Sequence, residues 1–159
     1  MSSTEHILDH LTSRPIIPVI EVNNADDAVP LARALLAGGI DVIEVTFRTA
    51  AAADAIARII SEVPQMHVAA GTVVNPQQAQ RALDLGVSFG VAPGLNADTV
   101  KRFQDAGTLF IPGVVTPSEI EQGLSLDLTL LKFFPAEAAG GIAMLKACLL
   151  YTSPSPRDL

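Results

Sequence analysis

What most constrains this chain is a recurring unit. Short apolar runs alternate with amphipathic stretches of about ten to fifteen residues, and the pair recurs roughly every 20 to 27 residues. Strands read at 16–20, 40–47, 67–73, 87–91, 109–112 and 129–134. Helices read at 26–36, 50–62, 76–85 and 97–105, with a short one opening at Thr116-Pro117-Ser118-Glu119 and another begun over 138–147. A short helix over 3–11 precedes them all. The third helix of the series carries its own punctuation: Asn75 as N-cap, Pro76 at the first helical position and Gly86 just past the end. Three helices close on a similar phrase, Ala37-Gly38-Gly39-Ile40, Asp84-Leu85-Gly86-Val87 and Asp105-Ala106-Gly107-Thr108. In each the glycine supplies the left-handed residue that returns a helix to a strand.

Six βα units in a row predict an α/β fold, either a doubly wound sheet or a (β/α)8 TIM barrel. A doubly wound sheet asks for a Gly-rich phosphate loop after the first strand, and Glu21-Val22-Asn23-Asn24 is not one. Polar residues collect instead at the C-terminal ends of several strands: Glu44, Arg48, Thr72, Pro93 and Lys132. That is where a barrel keeps its chemistry. The expected architecture is therefore the TIM barrel, with about six βα units present, too few to close eight strands.

Composition narrows the class further. The chain is 49% hydrophobic and 17% charged, which excludes disorder and favours one buried core. Ten Lys and Arg against seventeen Asp and Glu give a net charge of −7. An acidic surface argues against a nucleic-acid partner and against docking on an anionic membrane. No apolar run approaches the roughly 20 residues of a membrane span. Residues 1–10 lack a basic end followed by an apolar stretch, so no secretory signal is visible. Cys148 is the sole cysteine, which excludes an internal disulfide; a cytoplasmic location fits.

The pattern changes at Cys148. The stretch 148–159 breaks the helical periodicity begun at Ala138, and holds the only Cys and the only Tyr. It resembles the translation of a transposase-type sequencing adapter; the other reading is a Ser/Pro tail. On the first reading, residues 1–147 are an incomplete barrel domain and 148–159 a non-native tail, and two further strands with their helices belong after Ala147.

Lys132 lies in Leu130-Leu131-Lys132-Phe133-Phe134-Pro135, a segment with no other polar side chain. A lysine buried there sheds its proton more readily than in water, and a neutral amine is what Schiff-base chemistry needs. The alternative is a lysine that guards a sheet edge or snorkels to the surface. Glu44 falls inside an apolar strand, where a carboxyl is costly unless paired or functional. Arg48, at the strand end, suits a substrate carboxylate gripped by two parallel hydrogen bonds. A plain ion pair of Glu44 with Arg48 or Lys132 is the competing reading. Gly71-Thr72 offers a close backbone approach for a ligand and a hydroxyl, or simply a turn; Pro93-Gly94 and Pro112-Gly113 also read as turns. His6 and His10, spaced i and i+4, have no carboxylate–His cluster with them and read as a solvated face; His67 reads as structural.

Together these residues form a family pattern. The segments Pro15-Ile16-Ile17-Pro18-Val19-Ile20, Glu44-Val45-Thr46-Phe47-Arg48-Thr49, Ala70-Gly71-Thr72-Val73, Ala92-Pro93-Gly94, Ile111-Pro112-Gly113 and Lys132-Phe133-Phe134-Pro135-Ala136-Glu137 occur in this order. In them the chain resembles the class I aldolases of the 2-keto-3-deoxy-6-phosphogluconate (KDPG) and 4-hydroxy-2-oxoglutarate type, from about Pro15 to Ala147.

The resemblance implies a homotrimer of (β/α)8 barrels acting on a small 2-keto acid. It implies Lys132 as the Schiff-base lysine and Glu44 as the acid/base residue. Arg48 and Thr72 would bind the pyruvate-derived carboxylate, and Pro93 and Phe134 would line the pocket. The iminium is the electron sink, so the resemblance implies no metal or other cofactor. Products would be pyruvate with glyceraldehyde 3-phosphate, or pyruvate with glyoxylate. The family's phosphate-binding Thr-Gly-Gly and Gly-Gly-Ser segments do not occur in this sequence. The chain alone is thus expected to be poorly soluble and nearly inactive. The alternatives are the aldolase of the galactonate epimer, a phosphosugar isomerase or epimerase on a similar barrel, which would not need the buried lysine, and an inactive fragment.

Overall fold

A computed structural model describes residues 3–13 and 16–148. Helix α1 (Ser3–Thr12) leads into β1 (Val19–Ile20), and a 3-10 turn over Ala25–Asp27 runs into α2 (Ala28–Ala37). There follow β2 (Val42–Thr46), α3 (Ala52–Glu62), β3 (His67–Gly71), α4 (Pro76–Asp84), β4 (Phe89–Val91), α5 (Ala97–Asp105) and β5 (Leu109–Ile111). The remaining elements are β6 (Gly113–Val114), α6 (Pro117–Ser125), β7 (Lys132–Phe133) and α7 (Gly141–Cys148).

Strands β1 to β5 pair side by side in chain order, all parallel, and β6 pairs parallel with β7. Two hydrogen bonds join these sheets into one. The Ala92 N–H donates to the Ile111 carbonyl (3.2 Å), and the Lys132 N–H donates to the adjacent Pro112 carbonyl (2.9 Å). β5 and β6 are thus one strand position bonded on both sides, making six positions in unbroken order. Among the described residues the order never reverses, so they contain no switch point of a doubly wound sheet. Right-handed crossovers then put every connecting helix on one face.

The two faces bury different clusters. On the outer face, Ile43, Val45, Val68, Ala70 and Phe110 pack under helical residues such as Ala32, Ile56, Ala79 and Phe103. On the inner face, Val42, Ala69, Phe89, Val91, Leu109 and Ile111 meet Ile7 and Leu11 of α1, which plugs the barrel floor. The sheet is strongly curled. β2 and β7 stand four strand spacings apart, about 19 Å along a flat sheet. Yet the Lys132 amine lies 3.6 Å from a Glu44 carboxylate oxygen, a gap those two side chains cannot bridge unless the sheet rolls up. The described residues form an open (β/α) barrel of six strand positions, in line with the α/β barrel reading of the sequence.

The elements differ from the sequence reading in detail, for local reasons. The fifth strand does not stop at Pro112: proline lacks an N–H but its carbonyl still accepts, so pairing resumes at Gly113. The first strand shortens to Val19–Ile20, with the Pro18 carbonyl still accepting from the Glu44 N–H (2.9 Å). Asn24 accepts from the Asp26 N–H (3.1 Å), and this capped 3-10 turn delays α2 to Ala28. α7 starts at Gly141, which like Gly140 before it has a positive φ, and runs through Cys148. Pro15 and residues 149–159 lie outside the described residues. Among the described residues no helix is long and apolar enough to cross a membrane.

His10 departs from the solvated face expected of it. Its Nε2 lies 3.2 Å from Asp41 Oδ1, and its ring packs tilted against that of His67, with the ring centres 4.5 Å apart. Burial of Ile7 and Leu11, one turn back and one residue on, draws it into the floor, while His6 stays exposed. Among the described residues no group of three or more His, Cys, Asp or Glu side chains is placed to hold a metal.

Candidate active site

Alternation along the strands decides which side chains enter the barrel. In β2, Ile43 and Val45 face the helices, so Val42, Glu44 and Thr46 face inward. Gly113 shares the inner face of Leu109 and Ile111, and Lys132 is its partner in register. Register and alternation therefore aim Lys132 and Glu44 at each other. They meet at 3.6 Å, with the Glu44 side chain 7% exposed and that of Lys132 28% exposed. Lys132 is only partly buried, because β7 has a partner on one side alone among the described residues. Its amine also sits 5.2 Å from the centre of the Phe134 ring, within cation–π range.

Glu44 is perturbed. Burial pushes its carboxyl above the ordinary range, while the nearby positive charges of Lys132 and Arg48 pull it partly back. A carboxyl so raised can hold a proton at a pH where exposed glutamates are ionised, which suits it to give and take protons.

Arg48 follows the end of β2. Its backbone N–H donates to the Thr46 carbonyl (2.8 Å), turning the chain across the barrel mouth. Thr46 Oγ1 donates to the Ile20 carbonyl (3.3 Å) and Thr49 Oγ1 to the Val22 carbonyl (2.5 Å), tying this turn to the first strand. Arg48 Nε donates to Thr72 Oγ1 (3.3 Å), and Nη1 lies 4.0 Å from Glu21 Oε2. Thr72 has φ of +60°, unusual for a β-branched residue and a local backbone strain. Pro93 follows β4. Its carbonyl fills the place a Cβ on Gly113 would take, which sets Pro93 beside the register partner of Lys132, two strand positions from the lysine itself.

Of the six residues singled out in the sequence, Arg48, Thr72, Pro93 and Phe134 follow the C-terminal ends of strands, while Glu44 stands at the middle of β2 and Lys132 opens β7. Glu44, Lys132 and Phe134 form one contacting group, and Arg48 and Thr72 a second whose charge reaches Glu44. Pro93 is placed by register. The ion pair of Glu44 with Lys132, weighed as an alternative, exists. Two features escape sequence reading. Glu21 stands beside Arg48, and nothing in its spacing signals that. Gly71 reads as room for a ligand, but the Glu44 carboxyl occupies that room. A groove of about 450 Å³ is lined by Ile120, Leu124, Leu131, Phe133, Leu145 and Cys148 among others, from α6, α7 and the strand that carries Lys132.

An open parallel barrel whose rim gathers an amine, a buried carboxyl and an arginine defines a barrel protein with a centre suited to carbonyl chemistry. Residues 7–153 match the model of the KDPG and KHG aldolase family, and the chain belongs to that family. It is 47% identical over 137 residues to the KHG/KDPG aldolase of Escherichia coli strain K12, covering 86% of this chain and 64% of that protein. It is 45% identical over 147 residues to the 2-dehydro-3-deoxy-phosphogluconate aldolase of Haemophilus influenzae, covering 92% and 69%. The KDPG aldolase of Legionella pneumophila, whose crystal structure holds pyruvate as a covalent carbinolamine, superposes with a TM-score of 0.82 at 44% identity, covering 85% and 66%. The chain thus spans about two thirds of the length of the relatives it matches.

Proposed function

We propose that the protein is a class I aldolase that cleaves a 2-keto acid to pyruvate and an aldehyde through a Schiff base on Lys132. The observation that carries this reading is the Lys132–Glu44 pair at 3.6 Å inside the barrel mouth. Neutral Lys132 Nζ attacks the C2 carbonyl, forming a carbinolamine. Glu44 protonates its hydroxyl, water leaves, and an iminium remains. Loss of the C4 hydroxyl proton lets the C3–C4 bond break, its electron pair moving into the iminium to give an enamine and a free aldehyde. Protonation at C3 regenerates the iminium, and water releases pyruvate and the amine. Arg48, held by Thr72, offers its guanidinium to the substrate's C1 carboxylate. Phe134 covers the amine, and Pro93 walls the rim.

Family membership and the curated relatives support KDPG and 4-hydroxy-2-oxoglutarate as the substrates, giving glyceraldehyde 3-phosphate or glyoxylate beside pyruvate. We take residues 1–147 as the barrel domain, and the whole protein as a cytoplasmic homotrimer. The exposed apolar side chains Val74 and Ile142 are surface that such an assembly could cover. The catalytic reading is tested by adding pyruvate and borohydride and mapping the peptides. The expected result is a 1-carboxyethyl group on Lys132, absent in Lys132→Met; an unmodified Lys132 would overturn it and return the isomerase alternative.

A further inference from the structure

We infer that Gly71 is a positioning residue for Glu44, keeping its carboxyl beside Lys132 by leaving a side-chain slot empty. The inference rests on the Schiff-base reading above. Gly71 ends β3 opposite Thr46, and Glu44 is paired one step lower with Ala69. Side chains lean along the strand, so Glu44 reaches diagonally toward position 71. A Cβ built on Gly71 would overlap the Oε1, Cγ and Cδ atoms of Glu44, all closer than real Cβ contacts allow. The carboxyl therefore stands where any other residue would put its side chain.

The obstacle is this contact and not the backbone. Gly71 does not have the positive φ that marks Gly39, Gly86 and Gly107, so an alanine could adopt its conformation. Nor can the strand easily yield. Gly71 lies in the β2–β3 ladder, and its carbonyl accepts from the Phe47 N–H (2.8 Å). The carboxyl must give way instead. Its register partner Ala69 is fully buried, so the carboxyl is displaced against packed neighbours. Displacement takes the acid from the carbinolamine whose water it must help to expel.

The test is a double-mutant cycle on the rate of borohydride-trappable imine formation with pyruvate, followed across pH, with folding checked by far-UV circular dichroism. Gly71→Ala is expected to slow trapping at least about tenfold, approaching the loss seen in Glu44→Gln, for which general acid catalysis sets a scale of roughly 10²–10⁴. Its pH profile should lose the limb due to Glu44. Shortening the acid makes room for the new methyl group, so Gly71→Ala/Glu44→Asp should react faster than Gly71→Ala, or fold where Gly71→Ala does not. A glycine needed only for the fold would show no such rescue. Wild-type rates in Gly71→Ala or additive losses in the double variant would overturn the inference, and so would a double variant that also fails to fold where Gly71→Ala does not fold. Failure of the unmutated chain to trap pyruvate would instead count against the Schiff-base reading itself.

Discussion

Glu44 is the residue on which this site turns, because the fold buries a carboxyl that water would rather hold. Its raised pKa carries a consequence for stability. Between the ordinary carboxylate value and the raised folded value, the native state binds more protons than the unfolded chain, so stability falls as pH rises through that window. Glu44→Gln removes the ionisation but keeps the shape. The melting temperature of the unmutated protein relative to Glu44→Gln should therefore decline from acidic pH toward neutrality. Thermal melts at a series of pH values check this, and a difference that grows with pH would contradict it. Sequence reading reached Glu44 and Lys132 because a charge inside an apolar run is conspicuous. It missed Glu21 beside Arg48, because that proximity depends on how two turns from neighbouring strands lie over the barrel mouth.

At the scale of elements, legibility followed local chemistry. The helix over 76–84 was readable because Asn75, Pro76 and Gly86 each act within a few residues. Asn75 caps it as expected, accepting from the Gln78 N–H at 2.9 Å. Asn75→Ala should cost about 1 kcal/mol, seen as a lower urea midpoint with an unchanged slope, whereas Asn75→Asp should cost far less. Equal losses in both variants would deny the cap its role. Strand limits were less readable, since they depend on the neighbour. The fifth strand continues through Pro112 because β4 lies on one side and β7 on the other, and no property of residues 109–114 alone reveals which carbonyl each neighbour takes. A similar division holds at α1: its apolar spacing was legible, but the turning of His10 onto Asp41 and His67 required knowing where the barrel floor lies.

At the scale of the molecule, the recurrence of βα units already implied a parallel sheet, and the polar residues at strand ends implied a barrel over a doubly wound sheet. The unbroken strand order and the curl that joins β2 to β7 agree with that choice. Curl is also what makes chemistry possible, for it turns residues 88 positions apart in the chain into one acid–amine pair. The central claim is that this pair passes a 2-keto acid through an imine and an enamine. The most direct measurement is proton NMR of pyruvate in deuterium oxide with the protein present, because C3 exchange needs the amine and a proton carrier but not the phosphate-binding segments that this sequence lacks. The account predicts that the methyl signal decays with the unmutated chain, decays far more slowly with Glu44→Gln, and persists at the buffer rate with Lys132→Met. Exchange that survives the loss of Lys132, or that never exceeds the buffer rate, would contradict it.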